Sequence, residues 1–329
     1  MLQMIDQRLK AVKLGAPQVS RNVVVFPITN GSGESGVAYI TLAEALESHV
    51  LTVSEISQGG SVPELGVNNT GDAPVLLLDG EELAGAKQNR VLNTTVLAPA
   101  KQSIVIPVSC TEQGRWAYAT DTFHDSGTVM ARGIRARKSQ SVSASLDNSA
   151  SFRSDQGAVW SGIAELQMAA EAPSPTCAMR DVFEAKRESL EDALKAFPAI
   201  EGQVGILAVV NGEAVGFDIV SRPAAYARLH GKLVKSYVMD SLVGRKKKSD
   251  ETLAAAAARA FLNQAAGCEE KTFKSVGHGD DYRFKGAGIG GSALVYGDTV
   301  VHTAFFHLDQ ATAEGHMSGA SRRRSYRVY

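Results

Sequence analysis

Short apolar runs broken by turn residues set the terms on which this chain can fold. Between Val23 and Trp116 the sequence reads VVVFPI, VLTVSEI, VLLL, VLNTTVL and SIVIPV, separated by Gly, Pro and Asn. Runs this short are strands, because a helix needs a longer stretch of apolar residues at a period of 3.6. The runs at 75–78 and 104–108 are apolar without alternation, which predicts that both faces of each strand are covered. One helix interrupts the series: Thr41 is its N-cap, and Glu44 three residues later completes a capping box.

Helices enter in the second half. Residues 177–197 place Phe183, Leu190, Leu194 and Phe197 on one stripe, with Glu191 four residues before Lys195. Strands over 204–210 and 214–220 flank Asn211-Gly212, the signature of a type I′ hairpin. Ser221 and Pro223 then open a helix with the stripe Leu229, Leu233, Tyr237, ended by Gly244. Ser249 or Asp250 caps an alanine-rich helix from Leu253 to Ala266, stopped by Gly267. Strands near 281–285, 292–296 and 299–306 close the chain. Residues 117–158, rich in Ser, Ala, Arg and Gly, read as a linker, a mobile loop or an irregular excursion unless part of them is helical. Strands in series followed by helices between strand pairs predict an α+β fold, with a β-rich N-terminal half packed against helices and antiparallel strand pairs. The expected organisation is one large domain over 1–320, with a β-rich subregion 20–118 and a mixed subregion 156–308, followed by a basic tail at 321–329.

Charge balance excludes whole classes of partner. The chain carries 34 Lys and Arg against 35 Asp and Glu, a formal net charge of −1, so no global field draws it to nucleic acid or anionic lipid. The basic runs Lys246-Lys247-Lys248 and Arg322-Arg323-Arg324 are local, lack interleaved aromatics and read as solvated segments, so nucleic acid is a disfavoured partner. No apolar run approaches 18 residues, which excludes a membrane helix. The N-terminal MLQMIDQRLK has no apolar core of a leader, and Cys110, Cys177 and Cys268 are scattered, so the expected compartment is the reducing cytoplasm.

Chemistry concentrates in one place. Seven of the twelve residues from Asp79 to Arg90 are charged or amide-bearing: Asp79, Glu81, Glu82, Lys87, Gln88, Asn89 and Arg90, with Asn93 close behind. They hang between VLLL and VLNTTVL, where polar groups are costly unless paired or used. A second group, Ser109-Cys110-Thr111-Glu112-Gln113-Gly114-Arg115-Trp116, ends the strand IVIPV. Pairing of the two strands would pool Glu112 and Arg115 with the first group. The alternatives are a solvated hairpin whose charges pair with one another, a core tryptophan at Trp116 and an inert Cys110. The seven histidines show no metal-ligand spacing, and His302, on a face with Val300, Ala304 and Phe306, reads as a core histidine. The glycines at 277–279 and 286–291 lack a phosphate-loop pattern and read as flexible turns.

The string DGEELAGAKQNRVLNTTVLAPAKQSIVIPVSCTEQGRW, with GSVPEL, GQVGI, YRFKG and ALVYGDTVVHTAFF, resembles the family named for its association with ADP-ribosylglycohydrolases and rhodanese-type phosphatases. The resemblance covers nearly the whole chain. It implies a place in NAD or ADP-ribose metabolism and carries no catalytic roles with it. From the chemistry of the matching residues, Glu82 and Glu112 are the candidate acid and base, or holders of a divalent cation such as magnesium. Lys87, Arg90 and Arg115 would neutralise phosphate, while Glu81, Gln88, Asn89, Asn93 and Trp116 would complete a site for a phosphate-containing, nucleotide-like small molecule. The rival reading is a non-catalytic structural or protein-interaction domain in which the same charges form a buried network.

Overall fold

The computed structural model describes residues 3–29, 36–57, 59–243 and 250–308. Its architecture is α+β. The largest sheet runs, edge to edge, Lys13–Leu14, Val23–Thr29, Gly205–Val210, Glu213–Val220, Thr299–His307, Ile289–Tyr296, Asp280–Gly286 and Glu269–Lys274, with Gln18–Ser20 also paired to Val23–Thr29. All of its pairings are antiparallel. Both faces are covered, and side-chain alternation divides the residues between them. Val23, Val25, Ile206, Ala208 and Ala304 pack toward the helices Arg132–Ser149, Gln156–Ala170, Arg187–Ala196 and Pro223–Val243. Val24, Phe26, Leu207, Val209 and Phe305 pack toward Gln3–Lys10 and Glu251–Ala266.

The β-rich region forms two further sheets. Six strands run in the order Phe123–Val129, Glu81–Gly85, Arg90–Leu92, Gln102–Cys110, Glu64–Asn69 and Leu51–Ser54. Val96–Ala98, Val75–Leu77 and Ile40–Thr41 make the third sheet, which contains the parallel pair of Ile40–Thr41 with Val75–Leu77. Val75 and Leu77 belong to a core with Leu42, Leu65 and Ile106, whereas Leu76 and Leu78 point into the core that contains Ile206 and Leu233. One strand thus ties the two subregions together, and Val23–Thr29, from the N-terminal half, sits inside the large sheet.

Local signals act as expected at several points. Thr41 accepts from the Glu44 amide while the Glu44 carboxylate accepts from the Thr41 amide, closing the capping box. Asn211 and Gly212 both take positive φ, 55° and 87°, as a type I′ turn requires. Asp250 caps Glu251–Ala266 through the amides of Thr252 and Leu253. Gly244, Ser249, Lys246-Lys247-Lys248 and the arginine tail lie outside the described residues.

Four expectations need correction. Residues 117–158 are no linker, and of the alternatives the helical one holds: they contain the strand Phe123–Val129 and the 18-residue helix Arg132–Ser149. The 177–197 stripe is split at Lys186 into helices Met179–Ala185 and Arg187–Ala196, and Phe183, Leu190 and Phe197 are buried all the same. The strand Gln102–Cys110 is covered on both faces only near its end, and Val105 is 48% exposed. Gly277 is a packing contact: the His278 amide donates to Leu97 O at 2.8 Å, and a Cβ on Gly277 would fall 2.3 Å from that oxygen. Gly277→Ala should therefore cost about 1–3 kcal/mol by forcing this turn off the Val96–Ala98 strand, and a melting temperature equal to wild type would contradict the contact. The strand Glu269–Lys274 escaped the sequence reading because its residues are mostly exposed and charged, a common composition for a sheet edge.

Candidate ligand-binding site

Every residue from Asp79 to Arg90 is buried, so the solvated-hairpin alternative is wrong. The strand Glu81–Gly85 pairs with Phe123–Val129 on one side and Arg90–Leu92 on the other. Arg90–Leu92 in turn pairs with the end of Gln102–Cys110, placing Cys110 opposite Arg90. This pairing, the condition that the sequence reading set, brings the 109–116 segment beside the first cluster. Alternation along the strand then sends neighbouring side chains to different destinations.

Asp79, Glu81 and Asn93 are bound up with the scaffold. Asp79 pairs with Lys138 and, at 3.0 Å, with Arg135, whose guanidinium also donates to both oxygens of Asp218 at 2.9 and 2.7 Å. Asp218 accepts further from Tyr237 at 2.7 Å and lies 2.9 Å from Nε2 of His302, whose Nδ1 meets Thr95 Oγ1 at 2.8 Å. His302 is thus a core histidine, held in a buried charge network. Burial opposes ionisation of Asp218, but Arg135 and His302 outweigh it and hold the carboxyl well below its usual range. Burial pushes the Lys138 ammonium down to about 8 against the pull of Asp79. Glu81 takes Lys232 at 2.7 Å, and the same ammonium reaches Asp125 at 2.6 Å. Burial alone would lower Lys232, yet the two carboxylates hold it above its ordinary value. Asn93 donates to Phe152 O and accepts from Ser109 at 2.6 Å.

Of the other predicted residues, Asn89, Glu112 and Arg115 border a cavity of about 310 Å³ together with His124, Arg180 and Asp181. Glu112 takes the Arg115 guanidinium at 2.7 Å, Thr176 Oγ1 at 2.9 Å and the Asn89 amide at 3.2 Å. Although burial works against it, these partners keep the Glu112 carboxyl below its usual value, and so ionised at neutral pH. Arg115 also donates to Ala86 O, Gly85 O and Asn89 Oδ1, bracing the turn between the two strands. Arg180 makes no hydrogen bond or salt bridge among the described residues, and its charge acts on Glu82. The antiparallel bridge of Glu112 with Ala178 brings it here. Glu82 is fully buried and accepts from Thr111 at 2.6 Å and Thr128 at 3.2 Å. Burial pushes its carboxyl above the ordinary range, in the opposite direction to Glu112.

Lys87, Gln88 and Arg90 turn away from the cavity into a second buried region, which Trp116 covers from the solvent side. Lys87 donates to Gly59 O at 2.8 Å and lies 5.3 Å from the centroid of Trp116. Gln88 accepts from Arg90 Nη1 at 3.1 Å and from the Cys110 thiol. Trp116 is 48% exposed, so the core reading of this tryptophan is corrected. Burial pushes the Cys110 thiol up, consistent with an inert residue. Among the described residues no group of three His, Cys, Asp or Glu side chains is placed to hold a metal ion. Arg180, His124, Asp181 and Glu55 are the residues that the sequence reading missed. No motif marks Arg180; only its adjacency, through Ala178, to the bridge with Glu112 would have found it.

No helix among the described residues is long and apolar enough to cross a membrane. Comparison with curated proteins and with solved structures finds no match. A family model, the ARG and Rhodanese-Phosphatase-superfamily-associated Protein domain, matches residues 11–306, which include every strand and helix bordering the cavity. The chain belongs to that family.

Proposed function

We propose that the cavity between Arg115 and Arg180 binds the phosphate-bearing part of a nucleotide-like small molecule, within the NAD or ADP-ribose chemistry to which the family's name points. Arg180 carries this reading: it is a guanidinium at the rim of a concave site with no carboxylate of its own, beside an Arg115 fixed by Glu112. Phosphate oxygens would supply the missing partner. Glu82 and Glu112 add a second element. Environments that push two carboxyls apart, one toward the neutral form and one toward the ionised form, suit the acid and base of a bond-cleaving reaction. Calorimetric titration with ADP-ribose, NAD and related nucleotides, with and without magnesium, tests the binding. Heat of binding is expected for at least one of them, and none for any would overturn the reading.

The structural reading is retained for part of the cluster, on the observation that Asp79, Glu81 and Asn93 are fully partnered. Glu82 separates the two roles. Its raised carboxyl keeps its proton in the folded protein at pH values where the unfolded chain has released it, so stability falls as pH rises from the ordinary carboxylate range through the raised value. Glu82→Gln removes that cost. Its melting temperature at neutral pH is expected to rise and its pH dependence to flatten, whereas a clear drop would return Glu82 to the scaffold.

A further inference from the structure

Beside the phosphate cavity two buried charged side chains have been left with bonding capacity unused. Arg90 is 0% exposed and spends Nη1 on Gln88 and on the Asn89 carbonyl, while its Nε and Nη2 have no hydrogen-bond partner among the described residues. Glu55, its side chain 3% exposed, has no hydrogen-bond partner for either carboxylate oxygen among the described residues. The nearest approach of the two groups, Nη2 to Oε1, is 3.7 Å, beyond hydrogen-bond range. Four empty positions on a buried ion pair are costly, and a closer pair would fill some of them.

The pattern of those positions is specific. Nε and Nη2 form the edge of a guanidinium that engages two acceptors side by side. Glu55 adds two acceptors next to that edge, so the row reads acceptor, acceptor, donor, donor. Trp116 lies above it, 5.7 Å from Arg90 Cζ, with Tyr118 across the Lys87 ammonium at 5.2 Å. Gly60 closes the near side without a side chain, and a Cβ there would come within 3.3 Å of Trp116 and 3.4 Å of the Glu55 carboxylate.

We infer that this row of groups reads a guanine-type base stacked on Trp116. Guanine presents N2–H, N1–H, O6 and N7 in sequence, two donors followed by two acceptors, which matches the row one for one. Arginine engages O6 and N7 as a bidentate pair, and an aromatic face supplies stacking. Adenine sets an amino group against the guanidinium and turns its N1, an acceptor, and C2–H toward the carboxylate, offering it no donor. Entry to these buried atoms requires Trp116, whose ring is already half in solvent, to swing out and settle back over the base. Trp116 is bonded in sequence to Arg115, so a guanine here would leave its phosphates at the neighbouring cavity, where an adenine ligand such as ADP-ribose would be held through its phosphates alone. That last step rests on the phosphate reading; the recognition of the base does not.

The test uses ligands that separate the two. In a Trp160→Phe background Trp116 is the one remaining tryptophan, and guanosine, adenosine, GDP, ADP and pyrophosphate are titrated while its emission is followed. Guanosine is expected to quench, GDP to bind about tenfold or more tighter than ADP, and Glu55→Gln to erase that preference while leaving pyrophosphate affinity unchanged. Equal response to guanosine and adenosine, no response to either, or a preference that survives Glu55→Gln would overturn the inference. Quenching by guanosine with no binding of pyrophosphate would instead overturn the phosphate reading alone. Calorimetry of guanosine against adenosine on the unsubstituted protein gives the same discrimination should a variant fail to fold.

Discussion

Arg135→Met is expected to destabilise the protein by about 3–5 kcal/mol, which for a chain of this size lowers the melting temperature by about four to seven degrees. The guanidinium sits between Asp79 and Asp218, donating to both, with its cation 5.0 Å from the ring of Phe306. Methionine fills much of the volume but leaves two buried carboxylates facing each other with fewer partners. Lys138 still serves Asp79, and Tyr237 and His302 still serve Asp218, so the loss is confined to the missing charge and its hydrogen bonds. The variant should also shift acid unfolding. Asp218 contributes stability at pH values above the ordinary carboxylate range, lost as pH falls through its depressed value; without Arg135 the depression shrinks, so that contribution is smaller at neutral pH and its loss is complete at higher pH. Thermal unfolding followed over pH 3–8 measures both effects; a melting temperature within two degrees of wild type would show that the network does not hold the three sheets and the Arg132–Ser149 helix together.

Arg180→Ala is expected to do the reverse: to leave stability unchanged and weaken binding of a phosphorylated ligand by about tenfold to a hundredfold. The estimate corresponds to roughly 1.5–3 kcal/mol, the range for a hydrogen bond to a charged group. Removing Arg180 breaks no salt bridge among the described residues and relieves no buried charge. Arg115→Ala is the instructive contrast, because Arg115 donates to Glu112, Ala86, Gly85 and Ala117, and its loss should lower both stability and binding. Equal binding by Arg180→Ala and wild type would move the ligand away from this cavity.

The strands, the Thr41 capping box, the Asn211-Gly212 hairpin and the helices from Pro223 and Glu251 were legible because each is signalled by residues close in sequence. The Arg132–Ser149 helix was not. Its buried face carries Arg135, Lys138 and Ser139 alongside Ile134 and Val142, so the apolar stripe that normally announces a helix is replaced by charges whose partners, Asp79 and Asp218, lie 56 and 83 residues away. The candidate site divides in the same way. The proximity of Glu112 and Arg115 to the first cluster followed from strand pairing. The sorting of Glu81, Glu82 and Arg90 to separate environments depends on Lys232, Thr128 and Glu55, which reach them only through tertiary packing.

Phosphorus NMR of ADP-ribose, and separately of GDP, titrated with the protein reports directly on whether phosphate enters the cavity. Shifted and broadened diphosphate resonances are expected with wild type, restored to those of free ligand by Arg180→Ala at the same concentrations. Resonances that stay at their free positions for both ligands with excess wild-type protein would contradict the account.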